Sequence, residues 1–288
     1  MIWLLLVFVP RALRITVPYA MAALGGTLSE RAGVIALALE GEMIAGAFCA
    51  TLAAWYTGSA AAGAAAGVAG GAALAALYGV VVLRFRAEQI VPGVAINLLA
   101  LGLSGYLLSI PFDSTANSER TAGVGDGLVD NPLFWVAAAA VPLVWLAMAR
   151  TRFGLRLRAV GEHPEAAATR GISVARVRWS AVLLCGALAG LGGAWLSLGN
   201  HRFATEMTGG RGYIALAAVI MGRWHPLLAS LACLLFGTAE ALQVELQNHA
   251  IGVPQELLDT LPAVLTIVTL AGFVGRSRPP GGLGKPWP

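Results

Sequence analysis

Arg152-Phe153-Gly154-Leu155-Arg156-Leu157-Arg158-Ala159-Val160-Gly161-Glu162-His163-Pro164-Glu165-Ala166-Ala167-Ala168-Thr169-Arg170-Gly171 stands between two long apolar runs, residues 132–149 and 179–199. Its second half specifies a short helix. Pro164 suits the first helical position, where its missing N–H is no loss. Glu165 opposes the positive helix start and Arg170 the negative end, and Gly171 can take the left-handed conformation that stops a helix. A linker between two membrane segments does not need such specification; a docking element does. The wider stretch 150–178 carries Arg150, Arg152, Arg156, Arg158, Arg170, Arg176 and Arg178 against Glu162 and Glu165. The positive-inside rule places it in the cytoplasm.

Around this element the chain is almost entirely apolar. Of 288 residues, 58% are hydrophobic and 12% charged, with a mean hydropathy of +0.75. Ordinary soluble domains carry roughly 25% charged residues, so a soluble fold of this size could not cover itself. Residues 1–288 therefore read as one all-α integral membrane domain, without a compositional shift that would mark a second. A secreted disulfide scaffold, a nucleic-acid binder and a cytosolic enzyme are excluded. The net charge of +4 is no nucleic-acid footprint, because every basic residue except Lys285 is an arginine and most sit between apolar runs. Cys49, Cys185 and Cys233 each lie inside an apolar run and read as small buried hydrophobes, with neither a disulfide framework nor a metal set.

A spanning helix needs about 20 mostly apolar residues. Segments near 13–29, 34–56, 60–83, 89–111, 132–149, 179–199, 213–222, 227–247 and 254–274 meet or approach that length, which predicts eight or nine crossings. Met1–Val9 reads as the start of a retained helix or an interfacial segment. The Ala/Gly-rich run Ala60–Ala76 predicts a close-packing helix. The connection 112–131, with Asp113, Glu119, Asp126 and Asp130, is acidic and belongs outside; Arg276, Arg278 and Lys285 place the C-terminus inside. Parity then requires a crossing between Asn200 and Arg223. Tyr213–Gly222 as a helix spans only ~15 Å, so the polar, glycine-rich stretch Ala204–Gly212 must supply the rest. Irregular backbone at membrane depth survives only when buried in protein or lining a wet cavity, which makes this half-helix, with Gly210 and Gly212, a marker of a route through the membrane. Leu28–Gly33 is a charged break that reads either as a cytoplasmic turn or as a broken helix at mid-depth.

Polar side chains within the apolar runs are the candidate site residues. Glu40 and Glu42 would cost at least ~2.5–3.5 kcal/mol each as ionised groups at mid-bilayer. They either line a pathway or seal a helix break, or else pair with Arg31 or a backbone amide near a membrane surface. Glu240, Gln243 and Gln247 share one face of the helix 227–247, and either line a hydrophilic route or bond neighbouring helices. Asn97 carries the same two readings; Gln89 lies nearer the cytoplasmic end. Tyr106 and Phe203 are further aromatic candidates for cargo contact. His163, His201, His225 and His249 fall in loops or at helix ends and form no ligand set, so no catalytic or metal site is expected.

The quoted segment, Arg152 to Pro164 followed by Gly171-Ile172, resembles the cytoplasmic loop of permeases from bacterial ABC importers of the branched-chain amino acid, ribose and nucleoside branch. Ser29-Glu30-Arg31-Ala32-Gly33-Val34 through Glu40-Gly41, Gln89-Ile90-Val91-Pro92-Gly93 through Asn97-Leu98-Leu99-Ala100, and Gly210-Arg211-Gly212-Tyr213 through Ile220 resemble the nucleoside and simple-sugar subgroup, as do Gly222-Arg223-Trp224 and Ala239-Glu240-Ala241-Leu242-Gln243. The resemblance is collinear over nearly the whole chain. It implies a multi-pass permease of the bacterial cytoplasmic (inner) membrane that forms half of a translocation pathway for nucleosides or simple sugars. It also implies a coupling helix, with Gly161, Glu162, His163, Pro164, Glu165, Arg170 and Gly171 docked against an ATP-binding subunit. The other implied partners are a second permease, a related chain rather than a copy, and an extracytoplasmic substrate-binding protein. No cofactor belongs to the chain itself: it has no Walker A stretch, so ATP is the partner's ligand.

Two rival classes remain to be weighed. Gly102-Leu103-Ser104-Gly105 looks like the serine motif of an intramembrane protease, but no histidine lies in a later span to act as base. A stand-alone ion-coupled secondary transporter would make use of intramembrane carboxylates, yet it would have no use for a capped cytoplasmic helix.

Overall fold

The computed structural model describes residues 8–125, 127–248, 260, 264, 267 and 278–287. Asp126, His249, Arg276 and, three isolated positions apart, the predicted segment 254–274 lie outside the described residues. Within them the fold is all-helical: α1 (Val9–Arg31), α2 (Leu39–Thr57), α3 (Ala60–Gly79), α4 (Ile90–Phe112), α5 (Pro132–Arg150), α6 (Arg152–Glu162), α7 (Pro164–Thr169), α8 (Val174–Gly199), α9 (Arg211–Met221) and α10 (Pro226–Asn248). A π turn, Val80–Arg84, prolongs α3. Local chemistry sets several boundaries. Gly58 turns left-handed after α2, the Ser59 hydroxyl accepts from the Ala62 N–H to open α3, and Asn131 and Thr151 cap α5 and α6 in the same way.

Among the described residues, α3 with its π turn, α4, α5, α8 and α10 are long and apolar enough to cross a membrane. The predicted crossings at 13–29 and 34–56 fall within α1 and α2, which are helical but less apolar. They are also largely buried inside the bundle. Hydropathy is demanded by lipid contact, and helices surrounded by other helices are released from that demand. They can therefore carry Glu30, Glu40 and Glu42, all buried.

The connections sort to two ends. The acidic loop lies against residues 198–205, with the Ser118 N–H donating to the Phe203 carbonyl at 2.9 Å and the Thr205 N–H to that of Ala116 at 2.8 Å. At the far end of α5, helices α6 and α7 pack on the end of α1 and on residues 278–287. The two connections of opposite charge thus sit at opposite ends of the bundle. The break after α1 is resolved in the same way. Helix α1 runs to Arg31 at the α6 end, and a non-helical stretch then leads back to Leu39, where α2 begins beside α9.

The centre is held by glycines. Gly63, Gly67 and Gly71 recur every fourth residue on the buried face of α3. A Cβ on Gly71 would overlap the Gly186 carbonyl of α8, and one on Gly193 the Met43 carbonyl of α2. Backbones at this separation gain van der Waals contact that larger side chains would forbid, which is how small residues drive helix association in lipid.

Candidate functional site: a polar cavity at the head of the half-helix

Helix α9 has 11 residues, ~16 Å or half a bilayer core, and starts inside the bundle. Four residues of turn, Thr205 to Thr208, lead to it, followed by Gly209 and Gly210, both with positive φ. Its free first-turn amides meet the carboxylate of Glu40, in the first turn of α2. Glu40 Oε1 accepts from the Gly210 N–H at 2.9 Å and from the Thr208 hydroxyl at 2.5 Å; Oε2 accepts from the Gly212 N–H at 2.6 Å. A negative group at a helix N-terminus satisfies orphan donors and the dipole together. Gly212 has no room for a side chain, because a Cβ would overlap the backbone of Glu40.

Asn97 of α4 completes the arrangement. Its Oδ1 accepts from the Gly41 N–H at 2.8 Å, and its Nδ2 donates to the Leu37 carbonyl at 2.8 Å and to the Tyr213 hydroxyl at 3.0 Å. One amide thereby pins α4 to the entrances of α2 and α9. Between these elements lies a cavity of about 310 Å³, lined by Glu40, Asn97, Glu206, Thr208, Gly210 and Tyr213 on its polar side and by Ile44, Leu98 and Leu101 on its apolar side.

Of the polar residues singled out from sequence, the structure therefore brings together Glu40, Asn97, Gly210 and Gly212. Glu240 is elsewhere: it pairs with Arg211 and accepts from the Tyr19 hydroxyl at 2.5 Å, tying α10 to α9 and α1. Gln243 and Gln247 are half-buried on α10 and do not line the cavity. Glu42 is buried against Cys185 of α8, whose thiol donates to it at 3.5 Å. Glu30 accepts from the Trp224 indole N–H at 2.5 Å. The Gln89 amide oxygen accepts from the Ile35 N–H at 2.8 Å, at the foot of α4. Phe203 is core, edge-on to Phe48, and Tyr106 is exposed on α4 away from the cavity. The Ser104 hydroxyl of the protease-like motif donates to the Leu101 carbonyl of its own helix.

Thr208, Tyr213 and Glu206 were not foreseen. Each belongs to the polar stretch or the glycine-flanked start of the half-helix, which was the one available signal. Arg211 was equally overlooked. A lone cation in a crossing segment requires a carboxylate, and Glu240 on α10 supplies it.

The second region is the α6–α7 turn. His163 precedes α7, Pro164 opens it, Glu165 is exposed in its first turn, Arg170 follows its last residue, and Gly171 has φ +77°. Gly161 lies against the Arg31 carbonyl so closely that a Cβ would overlap it, and Arg31 pairs with Glu162 at 3.6 Å. Residues 278–287 strap this junction: the Gly282 N–H donates to the Gly161 carbonyl at 2.7 Å and the Gly284 N–H to that of Gly33 at 3.2 Å. Arg178, 1% exposed, donates to the carbonyls of Ala32, Gly282 and Lys285. Removing residues 278–287 takes away two of those acceptors but admits water in their place. The expected loss is about 1–2 kcal/mol, read as a lower melting temperature in detergent; an unchanged melt would show that the strap is not part of the stable fold.

The sequence profile described as the permease component of the branched-chain amino acid transport system matches residues 9–270. The guanosine ABC transporter permease NupQ of Bacillus subtilis is 35% identical over 99% of this chain and 97% of its own length. The nucleoside ABC transporter permease NupC of Lactococcus lactis is 35% identical over 95% of this chain and 94% of its own. A solved ABC transporter described as of metal-chelate type, in an inward-facing conformation, shares the fold with a TM-score of 0.56 at 18% identity, covering 93% of this chain and 87% of that one.

Proposed function

The chain belongs to the permease-component family of branched-chain amino acid transport systems, a membrane subunit of an ABC importer, and we propose that it forms half of a pathway for nucleosides, with simple sugars as second choice. The observation that carries this reading is the Glu40–Asn97–Tyr213 cavity at the head of α9. Its polar wall offers the Asn97 amide, fixed by bonds to backbone, and the Thr208 and Tyr213 hydroxyls, held by Glu40 and Asn97, and its other wall is apolar. That combination suits an uncharged, hydroxyl-bearing ring compound, and the cavity is of the size class of small-molecule sites. Glu40 is engaged with three donors, which makes it a poor seat for a translocated cation. The cargo named for NupQ and NupC supports the same choice.

Helix α7 is the proposed coupling element, docked by Gly161–Gly171 against an ATP-binding subunit that supplies the nucleotide site. The α6–α7 turn is bonded to α1 through Arg31–Glu162 and to the foot of α8 through the strap. A displacement of α7 is therefore passed to α1, which packs along α9 and α10. Rigid-body rocking of these helices would alternate access to the cavity. Residues 278–287 bond to the α6–α7 turn, which supports a C-terminus on the same, cytoplasmic side as α7. A related permease supplies the other half of the pathway, and a binding protein outside delivers cargo.

The test is Glu165→Arg in the reconstituted importer. Reversing this exposed charge leaves insertion and folding intact, abolishes ATP-driven uptake and releases the ATP-binding subunit in a pull-down. Uptake that survives in the variant and follows an ion gradient would instead establish a stand-alone carrier.

A further inference from the structure

A second cavity, of about 570 Å³, opens between α6, the α7–α8 turn and the first turns of α8. Arg156 of α6 and Arg176 of α8 line it together with Arg170, which belongs to the turn proposed to meet the ATP-binding subunit; all three are exposed, and Phe153, Ile172 and Val177 form the apolar wall. No carboxylate lines the cavity, and among the described residues none pairs with any of the three arginines. The concentration of charge is local: Arg31 and Arg178 nearby are engaged with a carboxylate and with carbonyls, whereas these three guanidiniums line the cavity without a carboxylate partner among the described residues.

We propose that this cavity binds the headgroup of an anionic phospholipid. Helix α8 is one of the helices apolar enough to cross a membrane, and the cavity lies at the end of it that carries the arginines. A ligand seated there meets cations and a hydrocarbon wall together. A phosphodiester joined to acyl chains satisfies both, since guanidinium forks match phosphate oxygens and the chain roots cover Phe153, Ile172 and Val177. A free phosphate would leave that wall in water, and an acidic protein loop would leave it unfilled. Basic pockets at the cytoplasmic edge of membrane helices recognise such headgroups by this chemistry.

The importer complex, purified in mild detergent and incubated with mixed micelles of phosphatidylglycerol and phosphatidylcholine, is read by native mass spectrometry. The wild type should retain phosphatidylglycerol selectively. In Arg156→Gln/Arg176→Gln, loss of two guanidiniums near the surface should lower that retention roughly 30-fold. Should the double variant misfold, Ser180→Phe, which fills the same cavity and leaves every charge in place, should lower retention as well. Equal retention by wild type and variant overturns the proposal. Displacement of the lipid by millimolar inorganic phosphate overturns it in favour of a soluble anion. A variant that keeps the lipid but sheds the ATP-binding subunit overturns it in favour of a protein-docking surface.

Discussion

Glu40→Ala is expected to abolish import while the chain still inserts. The substitution removes one carboxylate but strands three donors, the Gly210 and Gly212 amides and the Thr208 hydroxyl. Each unsatisfied buried donor costs about 1–3 kcal/mol. The adjoining cavity admits some water, which lowers the sum to about 3 kcal/mol, enough for roughly a hundredfold change in an equilibrium. The strain falls on the head of α9, so it shifts Tyr213 and, through it, Asn97. Glu40→Gln keeps one acceptor oxygen and turns a donor toward the remaining amides, so it should lie between the wild type and Glu40→Ala. Uptake in proteoliposomes, with ATP hydrolysis measured in parallel, checks this. Wild-type uptake by Glu40→Ala would mean that the half-helix is held by other contacts and that the cavity is not on the route.

Gly190→Leu should act more severely, on the fold itself. Gly190 lies where α2, α3 and α8 meet: an added Cβ would overlap the Gly67 carbonyl and stand 2.9 Å from the Gly71 Cα. Those neighbours are backbone, which cannot rotate away, so the helices must separate. Overpacking of a rigid core costs about 1–3 kcal/mol, and here the parting of α3 and α8 also forfeits the contact along the Gly67–Gly71 and Gly186–Gly190 rows. Gly102→Leu is the matched control, since nothing lies within 4 Å of a Cβ at that position. Size-exclusion profiles in detergent should show a monodisperse peak for Gly102→Leu and loss of it for Gly190→Leu. A monodisperse Gly190→Leu would remove the glycine seam from the account of the fold.

These two cases show how unevenly the site could be read in advance. That α9 is a half-helix followed from parity and length, and the glycines before it marked irregular backbone at depth. Glu40 was recognisable as an expensive residue in an apolar run, but either of its two readings was open. The structure joins them: Glu40 satisfies backbone amides, and by doing so it lines the cavity. For Glu240 the face shared with Gln243 and Gln247 suggested either a hydrophilic route or a bond between neighbouring helices. Arg211, 29 residues earlier in the chain, takes its carboxylate, so Glu240 ties α10 to α9.

The division between the two sources follows the range of the interactions. Sequence alone determined what depends on neighbours in the chain or on the solvent: the membrane setting, from charge too sparse for water; the ends of α7, from Pro164 and Gly171; the orientation bias, from arginine between apolar runs. Caps act over three or four residues and hydropathy over about 20, so both are visible in a linear string. Only the tertiary structure decided which buried polar group meets which. Glu40 and Gly210 are 170 positions apart, Arg178 and Lys285 107. A buried charge must find a partner, but that requirement states only that one exists. The packing of α2 against α9, and of the strap against α8, decides which one it is.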